Sequence, residues 1–167
     1  MAIDMFLKFE LPGLPGESQD DKHKDWIEVL SFSFGASQKS AGERSTGGAA
    51  SAERVSMQDF SIVKALDKAS PKLFLKCCTG EHFGLVTLEL WRATGDKSKY
   101  MEYKMTDVLV SSVRKGGAAQ GGEGLPLEEV GFNFGKIVLT YTETDHKTGK
   151  RKGDVRSNWD LVANKGS

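Results

Sequence analysis

Cys77, Cys78 and His82 have the side chains that ligate soft metals, and Cys78 and His82 stand one helical turn apart. Gly80 lies between them and ends a helix, and a structural zinc site takes four ligands at Cys-x-x-Cys or His-x-His spacings that the chain does not supply. These residues read as a core cysteine pair and a helix-end histidine, with no metal or cofactor. A bridge between adjacent cysteines is strained, so folding in a reducing compartment is expected. The serines form no Gly-x-Ser-x-Gly elbow. Gly131-Phe-Asn-Phe-Gly135-Lys136 is too short for a phosphate loop, and Ile137 stands where Ser or Thr is needed. No catalytic constellation emerges, and the chain is not expected to be an enzyme.

The charged residues exclude a further class. The 167 residues include 23 Lys+Arg and 23 Asp+Glu, a formal net charge of zero, which leaves no cationic excess for phosphate backbones. Nucleic acid is not an expected partner. Zero net charge also removes long-range self-repulsion and makes homotypic association easier. Asp20-Asp-Lys-His-Lys-Asp25 mixes both signs and fits either a solvated loop or a salt-dependent contact. Lys147-Thr-Gly-Lys-Arg-Lys152 reads as a basic turn joining the last two strands, with a partner patch as the other reading. The amino-terminal residues alternate apolar and polar around Asp4 and Lys8, unlike a signal peptide, and no stretch has the roughly 20 apolar residues of a membrane-spanning helix.

The elements that would position these residues follow a period of two. Alternation predicts strands over Ile3–Phe9, Trp26–Ser37, Val55–Ala65, Gly84–Ala93, Tyr100–Arg114, Leu127–Thr144 and Val155–Val162, the last carrying Trp159 inward. The face changes at Val29–Leu30, after which Leu30, Phe32 and Phe34 point inward, and again at Gly135, as at bulges or corners. Val108-Leu-Val110 is apolar on both faces, which predicts a central strand. One helix is expected, with Ser70 as N-cap, Pro71 at its first position, an apolar face of Leu73, Phe74, Cys77 and Cys78, and Gly80 at its end. Hydrophobic residues at 38%, charged residues at 28% and 19 glycines fit a single mainly β domain over 1–167. The glycine-rich stretches Ser40–Ala52 and Gly116–Gly124 cannot form a core; loops of that length are either functional or disordered.

Taken in order, several segments resemble the haemolysin-coregulated protein (Hcp) family of type VI secretion. They are Met1-Ala-Ile-Asp-Met-Phe-Leu-Lys8, Gly16-Glu-Ser18, Ile27-Glu-Val-Leu-Ser-Phe-Ser-Phe-Gly35, Gln58-Asp-Phe-Ser61, Asp67-Lys-Ala-Ser-Pro71, Gly80-Glu-His82, Val108-Leu-Val-Ser-Ser-Val113 with Gly116-Gly117, and Trp159. The resemblance implies a closed β-barrel of two packed sheets with one flanking α-helix. It also implies a homo-hexameric ring, stacking of rings into a tube, carriage of secreted effectors in the lumen, and partnership with a tip spike protein and a contractile sheath. The protein would fold in the bacterial cytoplasm and leave with the tube, without a signal peptide or membrane insertion. The chain ends soon after Trp159, so the form without a fused toxin domain is expected.

Alternation then proposes the working residues. With Leu30, Phe32 and Phe34 inward, Ser31 and Ser33 fall on the opposite face, where small polar side chains suit a lumen wall; ordinary solvent or a neighbouring subunit fits the same alternation. By position the Ser40–Ala52 loop, with Gly42, Glu43, Arg44, Gly47 and Gly48, corresponds to the family's ring-stacking or subunit-interface hairpin. The alternative function is a small-ligand or carbohydrate-binding barrel that stacks its ligand on Trp26, Trp91 or Trp159. A hydrolase using a serine and His82 is a third reading, without a motif.

Overall fold

The computed structural model describes residues 3–38, 54–93, 97–119 and 124–167. The elements in order are β1 (Ile3–Glu10), β2 (Ile27–Val29), β3 (Ser31–Ser33), β4 (Ala36–Ser37), β5 (Ser56–Met57), β6 (Phe60–Ala65), α1 (Ser70–Thr79), β7 (His82–Arg92), β8 (Lys99–Gly116), β9 (Leu127–Thr144), β10 (Arg151–Asp160) and β11 (Lys165–Gly166). All pairings are antiparallel. Among the described residues the protein is mainly β with one short helix, as the alternation predicts.

The closed barrel of two packed sheets is corrected. Among the described residues no sheet closes: one nine-stranded sheet runs β11-β10-β9-β8-β7-β1-β2, with β3 and β6 attached through β9, and β4–β5 is a separate ribbon. Two features cause this. The predicted change of face at Val29–Leu30 is a corner, where β2 pairs with β1 (Met5 opposite Val29) and β3 pairs instead with β6 (Phe32 opposite Ile62). Leu30 sits at the corner, donating its N–H to the Val63 carbonyl at 2.8 Å, with 58% of its surface exposed rather than inward. The second feature is the length of β9. Its first half pairs with β6 and its second half with β10 along one edge, so the sheet branches there.

The predicted kink at Gly135 also holds. Val130, Phe132 and Phe134 are buried before it and Ile137 after it, and the facing residue of β8, Asp107, takes a left-handed φ of 53°. A left-handed residue reverses the local pleat, so β8 changes face together with its partner. β8 is central, between β7 and β9. The core gathers Phe9, Phe60, Phe83 and Phe132 with Leu7, Ile27, Ile62, Leu88 and Met105, and the rings of Phe60 and Phe132 stack at 5.3 Å. Each such side chain contributes about 1.5–3 kcal/mol by leaving water. Trp159 packs half-buried against this core, in β10 as predicted.

The helix differs in detail. Ala69, not Ser70, is the N-cap residue; the Asp67 carboxylate accepts from the Ala69 N–H at 2.9 Å, while the Ser70 hydroxyl turns into the interior. Gly80 closes the helix with φ 71°. Only Leu73 of the predicted apolar face is fully buried; Cys77 is half-buried, and Cys78 and Phe74 are exposed. A ten-residue helix lying on one sheet buries a narrow stripe, and the wider face turns to solvent.

Candidate functional site

Ser31 and Ser33 are both exposed, on the face of β3 opposite half-buried Phe32. Strand register carries that face across three more strands. Ser33 lies opposite Ser61 of β6, Ser61 opposite Gly131 of β9, and Gly131 opposite Ser112 of β8. The adjacent row runs Ser31, Val63, Glu129, Arg114. On the inner side the same strands present Phe60, Ile62, Val110, Val130 and Phe132, all buried.

A bulge shapes the middle of this face. The β8–β9 register shifts between Val110 and Ser112, so Ser111 and Ser112 together face Gly131. A Cβ on Gly131 would lie 2.5 Å from the Ser112 hydroxyl oxygen, so glycine here lets the Ser112 side chain lean over β9. The Ser111 hydroxyl donates to Asp59 at 2.6 Å and that of Ser61 to Glu129 at 3.3 Å. The result is a surface of hydroxyls, two of them bonded to carboxylates, with Leu127, 46% exposed, as the apolar side chain at its margin. It can exchange hydrogen bonds with a surface laid against it.

None of these serines is hydrogen-bonded to a histidine among the described residues. His23 lies between Asp20 and Glu89, and His82 Nδ1 is 2.6 Å from Asp107 Oδ1. Cys77 and Cys78 do not converge with His82 on a metal position: among the described residues, no group of three or more His, Cys, Asp or Glu side chains could hold one. Gly131 to Lys136 lies within β9, in extended conformation. Gly42, Glu43, Arg44, Gly47 and Gly48 lie outside the described residues.

Two polar sites escaped the sequence reading. In the first, Lys64 is fully buried, its Nζ 2.9 Å from Asp67, 3.0 Å from Glu128 and 3.1 Å from Ser70 Oγ. The signal was present: Lys64 continues the inward alternation of Phe60 and Ile62, and Glu128 that of Val130 and Phe132. In the second, His23 is buried at the centre of the charged loop, stacked on Phe6 at 4.1 Å, with Trp26 and Trp91 edge-on. Its Nδ1 is 2.7 Å from Asp20 Oδ2 and its Nε2 is 3.3 Å from Glu89 Oε1. The hydrogen bond to His23 holds the Asp20 carboxyl below its ordinary pKa against the opposing effect of burial. The loop is therefore fastened down and is not simply solvated.

Comparison with known proteins agrees with this architecture. The family model for the type VI secretion system effector Hcp matches residues 6–141. Protein hcp1 of Pseudomonas aeruginosa is 36% identical over 165 residues, covering 98% of each chain. A solved structure of a type six secretion system protein superposes with a TM-score of 0.91 at 35% identity, covering 99% of this chain and 100% of that one. The crystal structure of Hcp1 from Salmonella typhimurium gives 0.81 at 32% identity over 100% of both chains. The chain belongs to the Hcp family of type VI secretion tube proteins.

Proposed function

We propose that this chain is the ring-forming subunit of the tube, that six copies close into a ring, and that the Ser31–Ser33 face lines the lumen and carries effectors. The observation that supports this most is the hydroxyl surface running from β3 across β6 and β9 to β8, backed by a buried apolar core. A carrier must hold cargo and release it, and many weak hydrogen bonds without a deep apolar anchor suit that exchange. The whole chain acts as one domain. Rings stack, the loop bearing Gly42 to Gly48 bridges them, and the tube meets the spike and the sheath. The protein folds in the cytoplasm and leaves with the tube.

The alternative of a carbohydrate-binding barrel has less support. Trp26 and Trp91 turn ring edges and faces onto His23, and Trp159 packs against the core, which leaves no open pair of indoles. The test is native mass spectrometry together with effector co-purification. The wild-type chain is expected as a six-copy species that retains effector, and S31Y/S33Y as the same species with effector retention reduced at least tenfold, about 1.4 kcal/mol. Full retention by that variant would remove these serines from the lumen wall.

A further inference from the structure

The two ends of the nine-stranded sheet carry opposite chemistry. Beside β1 and β2 runs a groove of about 440 Å³, lined by Ile3, Met5 and Leu30 and rimmed by Asp4, Asp20 and Glu28. Ile3 and Leu30 are 41% and 58% exposed. Asp20 is engaged by His23, whereas Asp4 and Glu28 form no hydrogen bond or ion pair among the described residues. The groove is apolar at its floor and anionic at its rim.

The far end is its complement. β10 has β9 along one edge, and β11 covers the other only at Trp159 and Asp160. Val155, 68% exposed, lies opposite Tyr141, 45% exposed. Tyr141 shares its face with Ile137 and Leu139, so the core face of the sheet runs on past its cover into water. The turn between β9 and β10 and the start of β10 carry Lys147, Lys150, Arg151 and Lys152; Arg151 pairs with Asp154 and Lys152 with Glu143, whereas the ammonium groups of Lys147 and Lys150 have no carboxylate partner among the described residues. An apolar patch beside a turn with two unpaired ammonium groups faces outward here.

We infer that the groove beside β1 and β2 receives the β10 edge of a second copy of this chain. Two unlike, complementary patches on one chain make a heterologous contact, which propagates head to tail and closes when the rotation per subunit allows. Val155 and Tyr141 cover Ile3 and Leu30, and Lys147 and Lys150 meet Asp4 and Glu28. Such charge complementarity fixes register and rejects wrong pairings. The overall balance of 23 cations and 23 anions lets the two ends differ in sign while copies do not repel as wholes. The register shift between Arg151 and Gly153 and the charges on β10 guard this edge against indiscriminate strand pairing. The inference rests on the ring reading and names the surfaces that make it.

Charge reversal tests it, because every residue changed is on the surface. D4K/E28K and K147E/K150E are each expected to shift the species seen by native mass spectrometry from ring to monomer, with roughly a hundredfold rise in the concentration needed to assemble. Carrying all four substitutions in one chain, or mixing the two double variants so that unlike ends alternate, is expected to restore the ring. That restoration also shows that the variants fold. A wild-type chain that stays monomeric at high concentration overturns the ring reading itself. A wild-type ring that survives both double variants, or is not restored by the combinations, overturns this contact alone. A variant that keeps its ring but loses a different bound protein gives the groove to that protein and likewise overturns the inference.

Discussion

Lys64 and His23 are both buried beside carboxylates, yet they do different work. Lys64 and Glu128 are direct register partners on β6 and β9, each with no exposed surface, and Ser70 and Asp67 at the start of α1 complete the cluster. One side chain thus ties two strands and the helix entry together. His23 belongs to no strand. It holds the loop from Gly16 to Trp26 against β1 and β7 through Phe6, Glu89 and Trp91, while the loop itself is closed by backbone bonds such as Asp25 N–H to Ser18 at 2.9 Å. Burying a full ion pair costs desolvation that the attraction barely offsets, so the Lys64 cluster selects a register more than it adds stability. The His23 site is a fastening placed on a preformed sheet.

Removing a single partner breaks this comparison most sharply. Lys64→Met is expected to destabilise the fold by about 3–5 kcal/mol in urea unfolding, since it leaves Glu128 buried and uncompensated with one oxygen already unpaired. K64M/E128M is expected to recover most of that loss, because an apolar pair of similar volume suits a buried register position. Failure to recover would make the cluster a net stabiliser. His23→Ala is the smaller change, about 2–3 kcal/mol from lost packing on Phe6 and one lost hydrogen bond at each of Asp20 and Glu89. Its effect is expected in the loop alone: amide exchange should accelerate at Ser18, Asp25 and Trp26 and stay unchanged along β8 and β9. Acceleration in the central strands would merge the two sites into one cooperative unit.

The same contrast explains how much the sequence disclosed. Alternation found β9 from Leu127 to Thr144, the kink at Gly135 and the corner at Val29–Leu30, because each leaves a phase change in the buried face. It placed Ser31 and Ser33 outward for the same reason. It could not show that the corner leaves the ladder open, since that depends on which neighbour each half of a strand pairs with, a long-range choice. Leu30 was misplaced by one step of that choice. Lys64 and Glu128 were legible in principle as charges on inward positions. His23 was not, because a loop has no period and its partners Phe6 and Glu89 are distant in sequence. The Ser33–Ser61–Gly131–Ser112 row likewise needed the strand register and the bulge at Ser111.

Acid separates the two sites most gently. The Asp20 pKa is lowered in the folded chain, first by the hydrogen bond to His23, then by the Lys22 N–H and by the charges of His23 and Lys97. A carboxyl group with a depressed folded pKa contributes stability that is fully present above its unfolded value and lost as pH falls through the folded one. The loop is therefore expected to loosen only below the ordinary carboxyl value of 3.8. In a Trp159→Phe background the fluorescence of Trp26 and Trp91, which border His23, reports the loop directly. Asp20→Asn is expected to abolish the acid step in that signal while leaving the β-sheet circular dichroism unchanged. An acid step of undiminished size in the Asp20→Asn chain would move the fastening to Glu89, whose oxygen also accepts from the Trp91 indole at 3.4 Å.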